Sequence, residues 1–171
     1  DGILKESNSV TETLYSNTDD GVHIGSTYGA TEWWNGGIQD ARVYKGVAKY
    51  TSNFILASTS PDILPDTPSG VSGGSKLAKV TDGAVNFNAS GDKLTVPNSS
   101  GDFDFGSGDF TIESYLYMTA ESAGDAIISL YNYSSNRRAW NYYYQSSDGS
   151  FEFLVSTTGS NQIKRLDSPV Q

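Results

Sequence analysis

The sequence predicts an all-β fold, an antiparallel β-sandwich, and three observations carry that prediction. Helical periodicity is nearly absent from the 171 residues. The apolar positions hold mostly Tyr, Phe, Val and Ile among Thr and Ser, residues that suit a pleated, half-buried surface. Eighteen glycines are scattered along the chain and punctuate it into short strands. The length favours one sizeable core over two modest ones.

In order along the chain, Asp1 to Leu4 reads as a turn, because Asp-Gly is a strong turn pair. Thr11 to Tyr15 is expected to be a strand. Asp19, Asp20 and Gly21 form a turn before Val22 and Ile24 resume the alternation, and Gly25 to Asn35 is a loop carrying Tyr28, Trp33 and Trp34. Gly36 to Tyr50, GGIQDARVYKGVAKY, then reads as one strand running into a tight turn. Its two glycines suit a chain that bends sharply or approaches another backbone. Ala41 and Val43 point to one face, and Asp40, Arg42 and Tyr44 to the other. Gly46 ends the strand, and Val47, Ala48 and Tyr50 close an apolar clasp with Lys45 and Lys49 left in water.

Residues 59–80 hold Pro61, Pro65, Pro68, Gly70, Gly73 and Gly74 with few apolar neighbours, the composition of a linker. Beyond it, Val85 with Phe87 and Leu94 with Val96 predict two short strands around the Ser90 to Asp92 turn. Phe110, Ile112, Leu116 and Met118 share one face of the next strand, and Thr111, Glu113, Tyr115 and Tyr117 share the other. Ile127 to Tyr133, Trp140 to Gln145 and Phe151 to Val155 follow. The middle one carries Trp140, Tyr142 and Tyr144 on a single face. After Ser156 the pattern fades, with no closing strand expected.

Two stretches resemble the laminin G-like, or concanavalin A-like, family of lectin and adhesion domains. Gly37, Ile38, Asp40, Arg42, Val43, Tyr44, Gly46, Val47, Ala48 and Tyr50 are similar to its closing strand and clasp. Val85 to Glu113 resembles its opening. The resemblance implies a jelly roll whose motifs run in reversed order, a circular permutation or a cut through a tandem array. Residues 1–58 would be the C-terminal half of such a domain and 81–171 the N-terminal half, missing a middle segment of about 20 residues at usual strand lengths. Similar modules are strung in phage tail-fibre or virion proteins and bacterial adhesins, which implies a place outside the cell or on the virion surface. With Asp1 first and no signal-like segment after it, the chain reads as a piece of a longer protein.

The net charge of −9 repels phosphate backbones and anionic lipid, so nucleic acid is a poor partner, and no run is apolar enough for membrane insertion. Zero cysteines exclude disulfides and thiolate metal sites. No enzyme is expected. Glycosidases need two carboxyl groups at a defined separation, and the Glu-x-Asp-x-x-Glu strand of the glucanase relatives is missing. Asp148 and Glu152 flank a turn and form a weak pair. His23 is the single histidine and is expected on a solvent-facing strand position.

Calcium is the one cofactor the residues would accept, through Asp40, Asp102 and Asp104 with Asp19, Asp20 and Asp109 as further oxygen donors. Ordinary roles compete for each: turn formation for Asp19 and Asp20, a solvated loop for Asp102 and Asp104, an Arg42 partner for Asp40. A surface glycan or polysaccharide is the expected partner, because sugar rings stack on Trp and Tyr while Asn, Asp and Arg bond their hydroxyls. The candidates are Trp33, Tyr28, Asn35, Trp140, Tyr142, Tyr144 and Arg137. Trp33 is expected to be exposed and Trp34 buried. Asn-x-Ser sequons stand at Asn88, Asn98 and Asn132. A non-catalytic carbohydrate-binding or adhesion module is the expected function, and a purely structural repeat is the alternative. The two halves are expected to pack as one sandwich, with self-association by exchange of halves as the competing arrangement.

Overall fold

The computed structural model describes residues 12–29, 32–51, 83–121 and 124–169, and among them it has nine strands and no helix. These are β1 (Val22–Ile24), β2 (Asn35–Lys45), β3 (Val85–Asn88), β4 (Leu94–Val96) and β5 (Phe110–Met118). β6 (Asp125–Asn132), β7 (Arg137–Gln145), β8 (Ser150–Val155) and β9 (Ile163–Pro169) follow. Two antiparallel sheets result. One has six strands in the order β4-β1-β6-β7-β8-β9, and the other has three in the order β3-β2-β5.

The sheets pack face to face as a β-sandwich, because each presents an apolar row that only the other can cover. Ile38, Ala41 and Val43 of β2 join Phe110, Ile112, Leu116 and Met118 of β5 in one cluster with Trp140, Tyr142 and Tyr144 of β7 and Phe151, Phe153 and Val155 of β8. Phe105 bridges the layers, its ring centroid 4.2 Å from that of Phe110 and 5.2 Å from that of Trp140. Strands from both sides of residues 52–82 meet in both sheets. β1 lies between β4 and β6, β2 lies between β3 and β5, and Val43 is paired with Ile112. The region read as a linker, 59–80, lies outside the described residues, as does the turn expected at residues 1–4.

The alternation read along β2 has a break in it. Strict period two would put Ile38 on the face of Asp40 and Arg42, yet Ile38 is buried with Ala41 and Val43 against it. The register with β5 slips between Gln39 and Arg42, and Asp40 takes a positive φ of 51°. This bulge re-phases the strand. Gly36 supplies the close approach: a Cβ there would stand 2.0 Å from the Tyr117 carbonyl oxygen, at φ +144°.

Several expectations need correction. Residues 13–18 form no strand; instead Leu14 N–H donates to the Gly106 carbonyl and Tyr15 N–H to that of Ser156. The strands around the Ser90 to Asp92 turn part company, β3 joining the three-stranded sheet and β4 the six-stranded one. A ninth strand does follow Ser156: β9 pairs with β8 at the sheet edge. Its sequence, IKRLDSP, lacks an apolar alternation because an edge strand with an exposed Leu166 has little to bury. Lys49 is not in water. Its ammonium is buried against Glu113 at 2.8 Å, since the clasp folds over the β5 edge and carries Lys49 with it. His23 is not solvent-facing either, being only 3 % exposed beneath the edge of the Tyr28 ring at 5.6 Å.

Candidate functional site

The acidic residues that could have held calcium are largely committed to holding the fold. Asp104 accepts from the Ser16 hydroxyl, from Asn17 N–H at 3.1 Å and from Asn98 Nδ2 at 3.0 Å. Asn98 also donates to the Asn17 carbonyl at 2.8 Å and accepts from Phe103 N–H at 2.9 Å. Asn17 donates to Asp20 at 3.1 Å, and Asn132 donates to both oxygens of Asp20 at 3.3 Å. This buried amide and carboxylate web ties the segment before β1 to the β4–β5 loop and to the β6–β7 hairpin. Asp104 is therefore a packed acceptor rather than a solvated charge. Asn98 and Asn132, each 1 % exposed, cannot carry a glycan in the folded chain, whereas Asn88 is exposed. Asp102 is exposed and accepts from Ser100, and Asp40 stands 3.9 Å from Arg42.

A different set of carboxylates converges. Asp148, Glu152 and Asp167 bring oxygens within 4.8 Å of one another, joining the β7–β8 turn, β8 and β9. Glu152 is buried there and accepts from the Tyr143 hydroxyl. Asp167 was invisible to the sequence reading because β9 was.

The predicted ligand residues are dispersed. Trp140 is 1 % exposed, its indole N–H donating to the Phe103 carbonyl at 3.0 Å, and Tyr144 is 3 % exposed, so neither offers a ring face to a ligand. Arg137 is ion-paired to Asp19 at 3.7 Å and Asp20 at 3.6 Å. Tyr28 is exposed. Trp33 is half-buried by its bridge to Ser26, short of the exposure expected of it, and Trp34 is fully buried. Asn35 and Tyr142 lie on opposite sides of the three-stranded sheet.

Asn35 belongs to the outer face of that sheet, where residues directly across a ladder share a side. Asn88 faces Asn35, then Asn86, Gly37 and Tyr117 form the next row, and Gln39 faces Tyr115. Tyr117 is 74 % exposed and Tyr115 44 %. With glycine as its neighbour across the ladder, the Tyr117 ring has no side chain opposite it in that row, and Asn86 lies beyond the glycine. No charge falls in these three rows. Farther along, Arg42 pairs across to Glu113, and the Glu113 carboxylate accepts from Lys49, Tyr44 at 3.2 Å and Tyr50 at 2.6 Å. Burial and the Glu113 charge push the Tyr50 phenol up to about 12. From sequence alone Tyr115 and Tyr117 are no more than the solvent side of a half-buried strand.

A concavity lies between the layers. A cleft of about 460 Å³ is lined by Ala48, Tyr50, Phe110, Thr111 and Ile112 from one side and Tyr142, Phe151, Glu152, Phe153 and Leu166 from the other. A ligand there would meet mainly aromatic rings.

No family model, characterised protein or solved structure matches this chain.

Proposed function

We propose that the chain is a laminin G-like jelly roll with its motifs in permuted order, working as a non-catalytic carbohydrate-binding or adhesion module of a larger bacterial surface or virion protein. The observation that carries this reading is the neutral strip of Asn35, Asn86, Gly37, Gln39, Tyr115 and Tyr117 on the outer face of the three-stranded sheet. Exposed phenol rings offer apolar faces to sugar C–H groups, and flanking amides can both donate to and accept from hydroxyls. In a protein of net charge −9, an uncharged strip suits a neutral polysaccharide better than an ionic partner.

Glycan-array screening followed by calorimetry on the intact chain tests it. Tyr117→Ala and Tyr115→Ala should each weaken binding by more than ~1 kcal/mol while leaving the melting temperature in place. Absence of any glycan ligand, or binding indifferent to the double substitution, overturns the reading. The alternative is a structural repeat, favoured by the position of these tyrosines on β5, the outermost strand of its sheet, where a second copy could pair. A mass that rises with concentration and falls on Tyr117→Ala would select it.

A further inference from the structure

We propose that the cleft between the two sheets is a second binding site, for a neutral aromatic ring that carries one hydrogen-bonding group. Three rings set the class. Phe110 from the three-stranded sheet and Phe151 and Tyr142 from the six-stranded one line a space of about 460 Å³, with Ile112, Ala48 and Leu166 beside them. Offset or edge-on contact with these rings favours a flat aromatic guest over an aliphatic chain.

Glu152 also lines this space, but the nearby carboxylates are engaged elsewhere. The Glu152 carboxylate reaches the Tyr143 hydroxyl on the opposite face of its sheet, and the Glu113 carboxylate is taken up by Lys49 and the Tyr50 hydroxyl. Among the described residues a charged guest would therefore find no free counter-ion, whereas a neutral one loses little. Among the described residues that line it, the Thr111 and Tyr50 hydroxyls donate elsewhere, which leaves the Tyr142 hydroxyl to recognise a guest. Among the described residues nothing hydrogen-bonds this hydroxyl, and burial alone pushes the phenol up to about 12. Tyr142 is partly buried and lines the cleft, so its hydroxyl is open to a guest that donates to it or accepts from it.

The test is calorimetric titration of the intact chain with 2-naphthol, and with naphthalene as the ring without the hydroxyl. Saturable one-to-one binding of 2-naphthol is expected. Tyr142→Phe should weaken 2-naphthol about tenfold, the worth of one hydrogen bond, and leave naphthalene unchanged. Ala48→Phe should fill the cleft and abolish both. Leu166→Trp, at an exposed position that tolerates size, should obstruct the mouth and give the same loss if Ala48→Phe fails to fold. No saturable binding to the unaltered chain overturns the proposal, as does binding that survives Leu166→Trp or is equally strong in Tyr142→Phe. Tyr117→Ala should leave 2-naphthol affinity unchanged, so this site and the glycan strip stand or fall separately.

Discussion

The Lys49 ammonium lies 2.8 Å and 3.0 Å from the two carboxylate oxygens of Glu113, clamping the chain beyond β2 to the middle of β5. The pair is hydrogen-bonded all round: Lys49 also donates to the Tyr44 hydroxyl at 3.2 Å and sits 4.7 Å from the centre of that ring. Burial by itself would lower the lysine pKa, but its bonds to Glu113 and Tyr44 outweigh that and raise it. The stability it contributes is therefore complete below the ordinary lysine value and is lost as pH rises through the higher folded one.

Lys49→Met should cost about 1.5–3 kcal/mol at pH 7, because it removes two short charged hydrogen bonds and leaves the Glu113 carboxylate, among the described residues, with only the more distant Arg42, 3.9 Å away, as a cation. Glu113→Gln should cost a similar amount, and the double variant Lys49→Met/Glu113→Leu should recover most of it. Urea denaturation measures all three. An unchanged midpoint for Lys49→Met would mean that the clasp is held by Val47, Ala48 and Tyr50 alone.

Opposite pH slopes are expected from His23 and Glu32. Burial lowers the His23 pKa, with Lys93 adding to it and Asp20 opposing. Its native form is the neutral one, so stability is fully present above the ordinary value of 6.5 and falls as the pH drops below it. Burial raises the Glu32 pKa, against hydrogen bonds from Asn141 and Thr27. That group withdraws stability as the pH rises above 4.5, where the unfolded chain ionises first. His23→Gln should flatten the loss between pH 6.5 and the acid limb, and Glu32→Gln should gain on the unaltered chain from pH 4 to pH 7. Chemical denaturation at those pH values reads both, and parallel curves for either variant would show that its group does not titrate differently in the fold.

Neighbouring tryptophans provide the sharpest contrast in burial. Trp34 is fully buried and Trp33 only half so. Trp34→Ala should cost about 3–5 kcal/mol as a core truncation, and Trp33→Ala about 1 kcal/mol. In variants that keep a single tryptophan, acrylamide should quench Trp33 and spare Trp34 and Trp140. The reverse ranking would place the loop the other way up.

What could be read from the sequence depended on whether a signal was local. The inward rows Phe110, Ile112, Leu116, Met118 and Trp140, Tyr142, Tyr144 were legible because period two is written in consecutive residues. The bulge at Asp40 was not, since slipping one residue needs only a positive φ and leaves the composition untouched. Lys49 and His23 were misplaced for a common reason: what covers them, Glu113 in one case and Tyr28 in the other, is set by tertiary packing. The neutral strip was half visible. Tyr115 and Tyr117 were seen to share a face, but that Asn86 and Gly37 complete their row follows only from the pairing of β2 with β3 and β5.

Gly36 is where that pairing is most exposed to a single atom. It lies opposite both Phe87 of β3 and Met118 of β5, and an added Cβ would come within 2.0 Å of the Tyr117 carbonyl oxygen and 3.0 Å of the Met118 Cα. Both obstacles are backbone atoms of β5, so neither can swing aside as a side chain would. Its φ of +144° adds strain for any L residue. Gly36→Ala should therefore cost more than ~3 kcal/mol or abolish folding. Gly46→Ala is the control: φ is +78° but nothing lies within 4 Å of the added carbon, so backbone strain alone remains, roughly 1 kcal/mol. Where Gly36→Ala does fold, amide exchange should accelerate at Tyr117 and Met118 before it does in β7. Equal stability of the two alanine variants would mean that β2 and β5 are not held at this spacing, and the strip that carries Tyr117 would lose its geometry with them.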